Sequence, residues 1–233
     1  MIQIIKISTR YLFLFSWLIS FNTRANSPDI SNLPIKEFDT NTETQQFVIL
    51  FTGDGGWKPL VREMADFYRK KGIPVVGLDV QKYFWDKKSP QEIGHALESI
   101  ISHYKTQWNK SELILIGYSM GAEVLPFAVN QLKSQSDINL IKNIVLIAPN
   151  RNVQFEIKLI NYISTPTEGQ PLLPELKKLN KPLVHIICDD DPNALCNELS
   201  SKDWDSREVD GGHHFGKDYD KINQTVWNMT EGH

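Results

Sequence analysis

The chain has 233 residues, with 25 Lys and Arg against 28 Asp and Glu, and 41% of it is hydrophobic. That length and apolar content suit one globular domain with a sizeable core. A formal charge of -3 excludes a protein that grips nucleic acid through a basic face.

The first element is for export rather than folding. Lys6 and Arg10 precede the apolar run Tyr11 to Phe21, and Thr23 and Ala25 supply small residues after it. A basic start, a short apolar stretch and a small-residue cleavage site read as a secretory signal peptide over residues 1–25, which implies export of the mature chain. The apolar run is short for a membrane span. Its loss removes three bases and no acid, so the mature chain is more acidic still. Residues 26–46 read as a polar tether or an edge strand, and residues 47–233 as a single domain.

From Phe47 the pattern becomes regular. FVILFT is a buried strand, GDGGW a glycine turn, and Lys58 to Lys71 a helix with Leu60, Met64, Phe67 and Tyr68 inward, ended by Gly72. IPVVGLDV is the next strand, and Ser89-Pro90 starts a helix whose core face is Ile93, Leu97, Ile100 and Ile101. ELILIG, IKNIVLIAP and KPLVHIICDD are further strands, SREVDGGHHF holds a last short strand and its loop, and Asp218 to Met229 is a closing helix. Near-continuous apolar strands alternating with helices predict an α/β fold, a mostly parallel sheet covered on both faces. The stretch from Arg151 to Lys178 carries too many breakers for a simple crossover and reads either as a lid or as a connecting loop.

One turn concentrates the chemistry. Gly117-Tyr118-Ser119-Met120-Gly121 fits Gly-x-Ser-x-Gly between a strand and a helix, the context of a strained turn that lifts a serine to its tip. Ser119 is the expected nucleophile. A serine hydroxyl needs a positioned base, and in this fold the order is serine, acid, histidine. His213 and His214 follow the last short strand; His213, first after the glycine pair, is the expected base and His214 the alternative. His185 lies inside an apolar strand and reads as a core histidine. The acid should come from Asp189, Asp190 and Asp191 at the end of the preceding strand. Analogy with a small residue, two spacers and an aspartate points to Asp191, with Asp190 as the alternative. The amides of Met120 and Asp54 are the expected oxyanion site.

Other residues flank this centre. Asp54 and Glu123 could meet a cationic head group or serve the local turn and helix, and Tyr83 and Trp85 could wall a lipid pocket or pack in the core. The two cysteines, Cys188 and Cys196, suit one disulfide in an exported chain, which would hold the acid-bearing loop. No metal or cofactor is called for. There is no His-Glu-x-x-His or Cys-x-x-Cys, no Walker lysine after GDGG, and no Gly-x-Gly-x-x-Gly after the strand.

FTGDGGW, VVGLDVQKYFW, LILIGYSMGAEVLPF, APNRNVQFEI and VDGGHHFGKDYDKI together resemble the VirJ/AcvB family of exported bacterial proteins, a branch of the α/β-hydrolases, in its shorter VirJ form. The resemblance implies an α/β-hydrolase fold and a periplasmic serine hydrolase that cleaves the aminoacyl ester of lysyl-phosphatidylglycerol. It also implies a link to virulence. The partners it implies are the aminoacylated phospholipid, the inner-membrane surface and type IV secretion components. Two competing readings are a non-catalytic accessory or chaperone of that secretion system, and a serine esterase for another small ester.

Overall fold

Successive side chains of a strand point to opposite faces of its sheet, and both faces are dry here. On the strand Gln46–Phe51, Phe47, Ile49 and Phe51 belong to one buried cluster, while Val48 and Leu50 belong to a second. A strand apolar at every position can be satisfied only between two layers of helices. That arrangement is what the computed structural model of the protein shows, describing residues 29–157, 169–200 and 202–231. The expected signal peptide lies outside the described residues.

In chain order, β1 spans Ile35–Phe38 and β2 Gln46–Phe51, followed by α1 at Pro59–Lys70, β3 at Val75–Leu78 and the short α2 at Val80–Tyr83. Then come α3 at Pro90–Gln107, β4 at Glu112–Tyr118, α4 at Met120–Asn130, α5 at Gln135–Ile138 and β5 at Ile141–Ile147. β6 at Asn152–Val153, β7 at Gln170–Pro171 and α6 at Leu172–Leu176 precede β8 at Val184–Cys188, β9 at Asp205–Glu208 and α7 at Tyr219–Thr230.

The main sheet has the order β1-β3-β2-β4-β5-β8-β9. Only β1 runs antiparallel, pairing with β3 as an edge strand. Helices α1 and α7 cover one face through Leu60, Met64, Tyr68, Ile222 and Val226, and α3 and α4 cover the other through Ile93, Leu97, Ile100 and Leu125. The start of α3 is fixed as its sequence requires: Glu92 N–H donates to Ser89 Oγ at 3.2 Å and Ser89 N–H donates to Glu92 Oε2 at 2.8 Å, a reciprocal cap. Among the described residues, no helix is long and apolar enough to cross a membrane.

The breaker-rich stretch after β5 begins in the core. Val153, Phe155 and Ile157 are buried, and the Phe155 ring lies 5.0 Å from that of Phe127. The antiparallel pair β6 and β7 closes the base of this excursion, and Leu172 and Leu176 return α6 to the core.

Because β2, β4, β5, β8 and β9 are parallel, the loops leaving their C-terminal ends gather at one edge of the sheet. In an open α/β sheet that edge is where sites form. Here it brings together the turns after β2, β4, β5 and β8 and the loop after β9.

Candidate active site

Ser119 has φ 54 and ψ -125, a conformation costly for a residue with a side chain and met at functional turns. The glycines on either side permit it. A Cβ on Gly121 would stand 2.4 Å from the carbonyl oxygens of both Phe51 and Thr52, and one on Gly117 would stand 2.5 Å from the Gly121 carbonyl oxygen. The bend is held in place from β5, where Ser119 N–H donates to the Ile147 carbonyl at 2.8 Å. Strand β4 therefore ends against its neighbours with no room for further side chains, and the hydroxyl projects from a buried residue at the start of α4.

Ser119 Oγ lies 2.8 Å from His213 Nε2, and His213 Nδ1 lies 2.7 Å from Asp189 Oδ2. The Asp189 carboxylate can only accept, so Nδ1 carries the proton and leaves Nε2 to accept from the serine hydroxyl when the ring is neutral. Burial by itself would lower the His213 pKa. The hydrogen bond and charge of Asp189, joined by the charges of Glu123 and Asp54, more than reverse this and hold it above its usual value. Burial pushes Asp189 up, but its bond to His213 and the imidazole charge bring it below the ordinary carboxylate range.

The expected acid, Asp191, is not the partner of His213; Asp189 is. Asp189 follows the last residue of β8 directly, and its side chain is buried beside the imidazole. The chain then turns away. Asp191 Oδ1 accepts from Asn193 N–H at 2.7 Å and so caps the loop's own turn, while Asp190 is exposed. The two-spacer analogy fails because the acid leaves the strand without a spacer. The Cys188–Cys196 disulfide anchors the foot of this loop, and Leu195 N–H donates to the Pro149 carbonyl at 2.8 Å, tying it to the turn after β5.

His213 reaches the serine along a backbone few residues tolerate. Gly211 and Gly212 have φ 110 and 67, and Phe215 and Lys217 are also left-handed. A Cβ on Gly211 would come 2.4 Å from Gly216 N, so the glycine pair is a steric requirement of the loop. His214 is exposed, and its Nδ1 lies 2.9 Å from Tyr118 Oη. The same hydroxyl donates to the His213 carbonyl at 2.9 Å, and the Tyr118 ring stacks on the His213 ring with centroids 5.5 Å apart. His214 thus braces the loop and does not contact Ser119.

The turn after β2 lies against the serine. A Cβ on Gly53 would be 3.3 Å from Ser119 Cβ, and Gly56 N–H closes the turn on the Gly53 carbonyl at 3.0 Å. Asp54 is therefore in the turn facing Ser119, and Met120, the first residue of α4, carries an amide with no intrahelical acceptor. Trp57 fixes the turn from behind, lying where a Cβ on Gly77 of β3 would be 2.3 Å from its ring. The strand motif VVGLDV needs its glycine to seat that indole.

Glu123 lies one helical turn after Ser119 and is buried. Its Oε1 accepts from Asn150 N–H at 3.3 Å and from Asn150 Nδ2 at 3.0 Å. Burial pushes its pKa up to about 7, against the Asn150 hydrogen bonds and the His213 charge, which lower it. A cavity of about 380 Å³ opens on Ser119 and His213, walled by the Gly53–Gly56 turn, the start of α1 and the loop from His214 to Tyr219. The expected aromatic wall is absent from it. Tyr83 packs at the margin of the core and Trp85 is 57% exposed, because α2 directs the intervening Phe84 into the core and turns its neighbour outward. Among the described residues, no cluster of three or more His, Cys, Asp or Glu could hold a metal ion.

Tyr118, Asn150 and Asp189 are the site residues the motifs did not single out. Tyr118 occupies the free position of Gly-x-Ser-x-Gly, Asn150 follows an apolar strand as an ordinary turn residue, and Asp189 stood unresolved within a triplet.

Comparison with solved structures agrees with this architecture. MenH from S. aureus superposes with a TM-score of 0.61 at 16% identity, covering 85% of this chain and 98% of its own. XC6422 from Xanthomonas campestris, described as an α/β serine hydrolase without a lid, gives 0.55 at 14% identity over 84% and 87%. Est1E from Butyrivibrio proteoclasticus gives 0.56 at 10% identity over 86% and 96%. At these identities the likeness is one of fold. No curated protein matches the sequence. Residues 45–232 match the family described as bacterial virulence protein (VirJ), and the chain accordingly belongs to the VirJ family, built on the α/β-hydrolase fold.

Proposed function

We propose that the protein is a periplasmic serine carboxylic-ester hydrolase that cleaves the aminoacyl ester of lysyl-phosphatidylglycerol. The observation that carries the hydrolase reading is the continuous contact from Ser119 Oγ through His213 to Asp189. A protein that only bound a partner would have no use for a buried, strained serine bonded to an oriented imidazole.

In the proposed reaction, Ser119 Oγ attacks the ester carbonyl as His213 Nε2 takes its proton. Asp189 keeps Nδ1–H in place and stabilises the imidazolium that forms. The amides of Met120 and Asp54 receive the oxyanion, and the start of α4 adds its positive end. The tetrahedral intermediate collapses, His213 returns the proton to the departing glycerol oxygen, and the aminoacyl group remains on Ser119. Water then repeats the sequence, releasing the free amino acid and the serine.

The aminoacyl part of the reading is supported by Asp54 and Glu123. An ammonium group next to the scissile carbonyl is favoured by negative charge around the nucleophile: Asp54 lines the cavity, and Glu123, buried with Asn150 outside that lining, is close enough for its charge to act on His213. The lipid and the compartment rest on family membership and on the export-type start of the sequence.

Incubation with vesicles containing lysyl-phosphatidylglycerol, followed by lipid chromatography, should show conversion to phosphatidylglycerol. Ser119→Ala should abolish both conversion and labelling by a fluorophosphonate. Labelling with unchanged lipids would leave a serine esterase with another substrate. A folded protein that does not label would favour the binding role in secretion.

A further inference from the structure

We infer that the cavity opening on Ser119 is an anion subsite in which Lys58 and Lys217 hold the phosphodiester of the substrate, on the leaving-group side of the scissile ester. The two lysines come from separate elements. Lys58 caps the start of α1, and Lys217 ends the loop that carries His213. Both line the same cavity of about 380 Å³ as Ser119 and His213. Neither forms a salt bridge with a carboxylate among the described residues.

The geometry favours a bound anion over two lysines merely in solvent. The stem of Lys58 lies across Gly55, where a Cβ would stand 3.0 Å from Lys58 Cε and 3.1 Å from Cγ. The glycine leaves the long side chain a bed along the turn facing the serine. The twelve-residue helix α1 presents its start to the same space through Lys58, Pro59 and Leu60, adding the positive end of its dipole. Lys217 is held at φ 65 just before Asp218 caps α7, so its backbone is set by the turn beneath it. Among the described lining residues Asp54 is the one acid, and Glu123 and Asp189 are not among them.

Lys58, Lys217 and the acid Asp54 share the cavity, while the buried Glu123 stands outside its lining with Asn150. A substrate of matching charge carries both a cation and an anion. In an aminoacyl ester of phosphatidylglycerol, three carbons and an oxygen separate the ester oxygen from phosphorus, so an anion at that remove lies beside a carbonyl seated at Ser119. Lysine ammonium groups are suited to this as compact donors to phosphate oxygens.

The inference rests on the proposed phospholipid substrate, but binding tests it without turnover. Titration calorimetry with monomeric dihexanoyl-phosphatidylglycerol should show binding to the wild-type protein that weakens as salt is raised. Neutral dihexanoylglycerol should bind about tenfold or more weakly. Lys58→Ala with Lys217→Ala should weaken phosphatidylglycerol binding by about tenfold or more, and Lys58→Arg with Lys217→Arg should largely restore it. Circular dichroism on each variant checks that it is folded. Absent or salt-insensitive binding, equal binding of the neutral lipid, or full affinity in the alanine pair would overturn the subsite. Inorganic phosphate binding as tightly as the lipid would overturn the lipid assignment. Failure of the esterase reading appears elsewhere, as unlabelled Ser119 or unchanged lysyl-phosphatidylglycerol.

Discussion

Tyr118 Oη lies 2.9 Å from the carbonyl oxygen of His213, and the two rings stack. The residue preceding the nucleophile on the bend after β4 thereby holds the base that arrives from the loop after β9, 95 positions further along the chain. One short turn positions both reacting partners.

Tyr118→Phe should therefore keep the fold and the stacking while removing the hydroxyl that pins the loop. That hydroxyl bonds both the His213 carbonyl and His214 Nδ1; each partly buried hydrogen bond lost costs about 1 kcal/mol, and a looser imidazole should lower kcat by about tenfold. Steady-state kinetics on any ester the protein turns over will measure this. An unchanged kcat would show that the loop is held without Tyr118.

The acid assignment is open to a direct comparison. Asp189→Asn should lower kcat by about 10⁴-fold, since the amide cannot enforce the working tautomer. Asp191→Asn, which alters only a turn cap, should cost less than about tenfold. The reverse ranking would restore Asp191 as the acid.

The rate should depend on pH through the same pair. His213 acts as a base only when neutral, so kcat/KM should rise with pH as the imidazole loses its proton. Because Asp189 holds the His213 pKa above its usual value, the midpoint of that rise should lie above about 6.5. Residual activity in Asp189→Asn should have its midpoint displaced toward acid. A wild-type midpoint well below the ordinary histidine value would contradict this electrostatic picture.

Glu123 has a different signature, in stability. Its pKa rises from 4.5 to about 7 on folding, so the folded state binds the extra proton between those values. The associated stabilisation is full below about pH 4.5 and is lost as pH rises through about 7, a total near 3 kcal/mol from the size of the shift. Glu123→Gln has no such titration. Its stability relative to wild type, from urea unfolding at pH 4 and pH 8, should improve by about that amount. No change in the difference would mean that Glu123 is solvated or otherwise paired.

The disulfide closes a loop of eight residues' separation. A loop of that length restricts the unfolded chain by about 2.5 kcal/mol in the chain-entropy account. Replacing both cysteines by serine should lower the melting temperature by several degrees. It should lower kcat as well, because Asp189 adjoins Cys188. Full activity with only a lower melting temperature would separate the bridge from acid positioning.

Local chemistry written along the chain made much of this protein legible. Every-position apolarity in FVILF and LILI can be satisfied only between helical layers, so the parallel sheet follows from the strands themselves. Two glycines around Ser119, and two before His213, announce backbone conformations and approaches that other residues would block. The choice of acid was of another kind. Asp189, Asp190 and Asp191 are the same residue type side by side, and only the direction in which the chain leaves β8 decides which one faces the imidazole. The same holds for Trp85, turned to solvent because Phe84 took the core, and for Lys58 and Lys217, which share a cavity though they lie 159 positions apart. Neighbours in sequence fix strands and turns because those forces act over a few residues. Which side chains confront one another across the site depends on how whole elements pack, and that is decided only in three dimensions.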